Sequence, residues 1–101
     1  MKIQNLHNSQ KVPFDLEGYI LHSEKQIELV HLLLKPGENL DDHKNPFDVI
    51  FFVAEGSGLL TIEGEKFNLT INDVTKVTSD QNRGWNNNSD KDLRLLVIKL
   101  L

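Results

Sequence analysis

The chain has 101 residues, with 11 Lys and Arg against 15 Asp and Glu, and a formal net charge of −4 at pH 7. That length makes one domain with one core, and an acidic balance without a basic cluster argues against nucleic acid or an anionic membrane as partner. No apolar stretch approaches the roughly 18 residues of a membrane span, and the absence of cysteine removes disulfides, thiolate zinc sites and cysteine nucleophiles.

Residues 1–10 are polar and carry no apolar signal-peptide core, which is the sole basis for expecting a cytoplasmic protein. Strand-like runs follow at 12–23 and 26–35, split by Ser23, Glu24 and Lys25, then at 48–54, 58–63, 66–71, 73–78 and 92–101. Turn signals separate them: Pro36-Gly37, Gly56-Ser57-Gly58, Glu63-Gly64, Asn72-Asp73, and the run from Asn86 to Asp90. Gly56-Ser57-Gly58 opens no helix, so it reads as a hairpin turn and not as a phosphate cradle. Many short strands and no helical period predict an all-β chain, an antiparallel sandwich or barrel.

Two strands are apolar on both faces. In the run from Val49 to Val53 neither the odd nor the even positions are polar, and the run from Leu95 to Ile98 behaves alike. One face fills the barrel and the other needs a cover. A second copy of the chain is the expected cover, giving a homodimer through Ile50, Phe52, Leu96 and Ile98. The alternative is that the N-terminal strand, around Phe14 to Leu21, folds back over that face.

Gly37, His43, Asn45, Val49 and Gly56 fall without a gap on Gly-x5-His-x-His-x3-Glu-x6-Gly, and the stretch resembles the first motif of the cupin superfamily. Two slots are changed: Asn45 stands for a histidine and Val49 for the glutamate. The second motif, Gly-x5-Pro-x-Gly-x2-His-x3-Asn, aligns with Asn72, Thr78, Asp80, Arg83 and Asn87, matching by identity at Asn87 alone. Asn72 suits the glycine slot because asparagine tolerates the left-handed conformation. The resemblance implies a single cupin-like domain over 1–101, an antiparallel double-stranded β-helix or jelly-roll barrel. Its N-terminal strand region covers 1–25, motif one 37–56 and motif two 72–87.

In metal-binding cupins the corresponding slots hold the ligands; here they hold His43, Asn45, Val49 and Arg83. Positions 43, 45 and 49 share parity and point to one side, whereas Asp48 points away unless a one-residue slip re-aims it. One good ligand facing a permanently charged guanidinium predicts no metal cofactor. His43, with His31 if that side chain turns inward, is the weak remaining candidate for a metal site. His31 has Ile27, Leu29 and Leu33 as parity neighbours, which fits a lone core or interface histidine equally well.

The expected site is therefore a ligand-binding cluster of His43, Asn45, Arg83 and Trp85 for a small polar or anionic molecule. Arginine holds carboxylate or phosphate through two parallel hydrogen bonds, and Trp85 offers a flat ring to stack on. The competing arrangement turns Arg83 toward Asp80 and packs Trp85 into the barrel mouth. Two enzyme readings stay open. One is a metal-independent sugar isomerase, epimerase or lyase with His43 as general acid or base and Tyr19 or His31 as its partner. The other is a metal-dependent cupin with ligands from non-standard positions.

Overall fold

The computed structural model describes residues 1–101 and builds ten strands without a helix: β1 (Gln10–Lys11), β2 (Glu17–Ser23), β3 (Ile27–Leu34), β4 (Asn39–His43), β5 (Asp48–Glu55), β6 (Ser57–Ile62), β7 (Glu65–Thr70), β8 (Val74–Val77), β9 (Arg83–Asn86) and β10 (Leu93–Leu100). They form a six-stranded sheet in the order β1-β2-β3-β10-β5-β8 and a four-stranded sheet in the order β4-β9-β6-β7. Every pairing is antiparallel. This is the expected jelly-roll barrel.

Alternation decides what fills it. On β3, β5 and β10 the inward set is Val30, Leu32 and Leu34; Val49, Phe51 and Val53; and Leu93, Leu95 and Val97. The second sheet supplies Leu60, Leu69 and Trp85 to the same core. Deep burial of this aliphatic set, with Val53, Leu93 and Leu95 at 0% exposure, is the main source of stability. Of the turns that use a left-handed residue, two bear on the motifs. Gly56 has φ 79°, and a Cβ there would collide with the Asp92 carbonyl oxygen, so the β5–β6 corner excludes other residues. Asn72 has φ 71°, the conformation its motif slot requires.

The strand expected over 12–23 divides. Within it only Glu17–Ser23 forms a strand, β2, and the segment between β1 and β2 leaves the sheet after Val12 donates its N–H to the Gly18 carbonyl. Pro13 lacks the N–H that a continuing ladder needs. Val12, Phe14, Asp15 and Leu16 then lie against the barrel interior. The N-terminal segment therefore does not fold back over the outer face, because β2 extends the large sheet by pairing with the edge of β3. On that outer face Leu29, Ile98 and Ile50 form one cross-strand row, and His31, Leu96, Phe52 and Val74 the next. Val74 is 62% exposed.

Candidate functional site

The two polar strands carry the site. β4 and β9 pair with His43 opposite Arg83 after a register shift beyond Leu40. β5 comes from the facing sheet, so Val49 and Phe51 look across the barrel at them. A cavity of about 550 Å³ lies between the sheets, and His43, Asn45, Arg83, Val49 and Phe51 all line it. Asp48 turns away, accepting the Ser79 N–H at 2.9 Å and facing Lys76 at 3.5 Å. The register inferred from parity holds.

Arg83 is the unusual member. It is 1% exposed, and neither Nε nor Nη2 has a hydrogen-bond partner. Nη1 reaches the Gln81 carbonyl at a long 3.4 Å. Asp80 does not answer it; that carboxylate accepts from the Thr78 hydroxyl at 2.6 Å, the bond that chiefly holds its pKa below the usual range. Burial pushes the Arg83 guanidinium down from its ordinary value. His43 is half-buried and its Nδ1 lies 2.9 Å from the Asp41 carbonyl oxygen, which fits an Nδ1–H donor and leaves Nε2 as the acceptor of the neutral ring.

Trp85 departs from expectation. It faces inward like Arg83 but lies outside the main cavity lining and is 2% exposed. Its ring meets Phe51 edge-on, with centroids 5.4 Å apart and planes at 79°. Two positions along β9, where Leu40 and Leu60 flank it, the core has already closed. The aromatic side chains that line the cavity are Phe14 and Phe51.

His31 also lies outside the cavity lining. It has opposite parity to Val30 and Leu32, which line the cavity, and pairs with Tyr19 and Leu96 across the sheet. Burial, helped by the Arg94 charge, holds its pKa below the ordinary imidazole value. Tyr19 shares that outer row, so neither residue supplies the second proton-transfer group to His43. Sequence reasoning missed Lys99, Asp15, Asp41 and Asp42, which line the cavity as well. Parity with Val97 on β10 would have found Lys99, whose ammonium pairs with Glu28 at 3.0 Å.

The donor set does not fit a resident metal. No group of three or more His, Cys, Asp or Glu side chains in the chain converges to hold one, and the single imidazole shares its cavity with an unneutralised guanidinium.

The Cupin domain family matches residues 30–99. The chain is a member of that family. It is 30% identical over 66 residues to a 5-nitrosalicylic acid 1,2-dioxygenase of Bradyrhizobium sp, covering 65% of this chain and 32% of that protein. It is 26% identical over 101 residues to auxin-binding protein T85 of Nicotiana tabacum, covering 82% of this chain and 50% of that one. The chain thus spans a third to a half of the length of these relatives. Among solved structures, a predicted oxalate decarboxylase from Thermotoga maritima superposes with a TM-score of 0.87 at 18% identity, covering 99% of both chains. KdgF from Halomonas sp. does so with a TM-score of 0.83 at 18% identity, over 100% of this chain and 94% of the other. At such identities the likeness concerns the fold. No helix is long and apolar enough to cross a membrane.

Proposed function

We propose that this cupin is a metal-free barrel that binds a small anionic molecule, with Arg83 as the anchor and His43 and Asn45 beside it. One observation carries the reading: a guanidinium at 1% exposure lines a cavity with two of its nitrogens unpartnered. An unanswered charge in that setting costs several kcal/mol, and no acidic side chain forms an ion pair with it. Relatives named for a nitrosalicylic acid and for auxin support a small molecule as the occupant of such a barrel.

Thermal melts test this. At least one class of small anion, carboxylate or phosphate, should raise the melting temperature of the wild type, by about 2.7 kcal/mol of stabilisation at a hundred times Kd. Arg83→Ala should abolish the response, and Arg83→Lys should keep part of it, having the charge without the planar fork. Elemental analysis of the same preparation should give substoichiometric metal. A one-to-one content that disappears in His43→Ala would instead favour metal-dependent chemistry.

We infer as well that a second copy covers the outer face of the large sheet, since Leu29, Ile50, Phe52, Leu96 and Ile98 form a continuous apolar surface there. An isologous contact of this kind should bury about 1,000 Å² or more. Sedimentation should give twice 11.6 kDa, and Phe52→Glu should return a folded monomer. A wild-type monomer at high concentration rules the dimer out.

A further inference from the structure

The guanidinium of Arg83 is not free on all sides. Nη1 is directed to the Gln81 carbonyl, and the nitrogens left without partners are Nε and Nη2. Those two lie on one edge of the guanidinium plane and send out parallel N–H bonds, the fork that matches the two oxygens of a carboxylate. Neither nitrogen carries accessible surface, so a carboxylate that pairs with them has to displace side chains of the cavity that Arg83 lines.

The rest of the cavity narrows the class of molecule. Nine of its 17 lining residues are hydrophobic, and Val30, Leu32, Val49, Phe51 and Val97 present a continuous apolar surface across from Arg83. Its volume of about 550 Å³ lies within the range of about 300–1,000 Å³ usual for small-ligand sites. The charges argue against a second negative group. Lys99 is already engaged by Glu28 at 3.0 Å, while Asp15, Asp41 and Asp42 line the same cavity from exposed positions. A dianion would gain one cation and face three carboxylates. An uncharged sugar would leave the fork unanswered and put hydroxyls against hydrocarbon.

We propose that the ligand is a monocarboxylate with an apolar aliphatic or aromatic body, its carboxylate on the Nε–Nη2 edge of Arg83 and its body against Val49, Phe51 and Val97. This inference rests on the anion-barrel reading above and specifies its occupant.

Titration calorimetry with 3-phenylpropionate and hexanoate, set against 3-phenylpropionamide, inorganic phosphate and succinate, tests it. The two monocarboxylates should bind the wild type, the neutral amide at least about tenfold more weakly, and phosphate and succinate not measurably. Arg83→Ala should weaken the carboxylates by about tenfold to a hundredfold and leave the amide unchanged. Arg83→Met, closer in volume, serves if the alanine variant does not fold, and Arg83→Lys should fall between. Phosphate or succinate binding as tightly as the carboxylates and lost in Arg83→Ala overturns the monocarboxylate assignment while the anion barrel stands. An amide that binds as well as its acid, or no anion binding at all, overturns both.

Discussion

Asn87→Ala is expected to lower the unfolding free energy by about 3 kcal/mol, since it removes the donors given to the Leu34 and Lys91 carbonyls and the acceptor given to Ser89. For a domain of this size that is a fall of about 12–24 °C in Tm. Asn87 is 0% exposed and every polar atom is used. Nδ2 donates to the Leu34 carbonyl at 2.8 Å and to the Lys91 carbonyl at 2.7 Å. Oδ1 accepts from the Ser89 N–H at 3.0 Å and from its hydroxyl at 2.8 Å. The backbone joins in, donating to Glu38 and accepting from Gly37. One residue thereby ties the end of β3, the turn that begins motif one and the loop leading to β10. Asn87→Asp should cost at least as much, because a carboxylate keeps the acceptor and turns its charge on two carbonyl oxygens. Asn88→Ala, at an exposed neighbour, should be neutral. Urea unfolding checks all three, and a loss below 1 kcal/mol for Asn87→Ala would show that water replaces the side chain without penalty.

This residue marks the boundary of what the sequence discloses. The core strands β3, β5 and β10 are legible as short apolar runs bounded by turn residues, and the strand period of two then sorts Val49, Phe51 and Val53, like Leu93, Leu95 and Val97, onto one face. The strands that carry the site are not legible this way. β4 reads Asn-Leu-Asp-Asp-His and β9 Arg-Gly-Trp-Asn, short and polar segments whose pairing comes from the fold around them and not from hydropathy. Motif spacing placed His43 and Arg83 where apolar pattern was silent, and parity aimed Val49 and Asp48. Spacing does not report depth, however. Arg83 and Trp85 share a strand and a face, yet one lines the cavity and the other is sealed against Phe51, a difference set by where the opposite sheet closes. The stretch 12–16 misled for a related reason. Its apolar residues suit a strand, but Pro13 cannot continue the ladder, and the same residues serve as cavity wall instead.

Arg83→Met is expected to have the opposite sign to Asn87→Ala and to raise stability by about 1–4 kcal/mol in buffer without a binding anion. The two wild-type side chains lie four residues apart and are both buried polar groups. Asn87 has all its hydrogen bonds made, so removing it uncovers costs elsewhere. Arg83 has two nitrogens with none, so its burial is a cost already present in the folded state and absent from the solvated unfolded chain. Methionine is flexible, apolar and long enough to fill much of the same space, beside Val49 and Phe51. Arg94→Met is the control, because Arg94 is partly exposed and meets Glu55 at 3.6 Å, a pair worth at most about 1 kcal/mol. Adding 3-phenylpropionate should then close the gap from one side, stabilising the wild type by mass action and leaving Arg83→Met where it was. Urea unfolding of both proteins, with and without that acid, measures the four quantities together. A destabilised Arg83→Met in anion-free buffer would mean that the guanidinium is already satisfied in the empty barrel. A stabilised one would mean that the fold tolerates a destabilising charge at the one position where an anion can answer it, as expected where stability has been exchanged for binding.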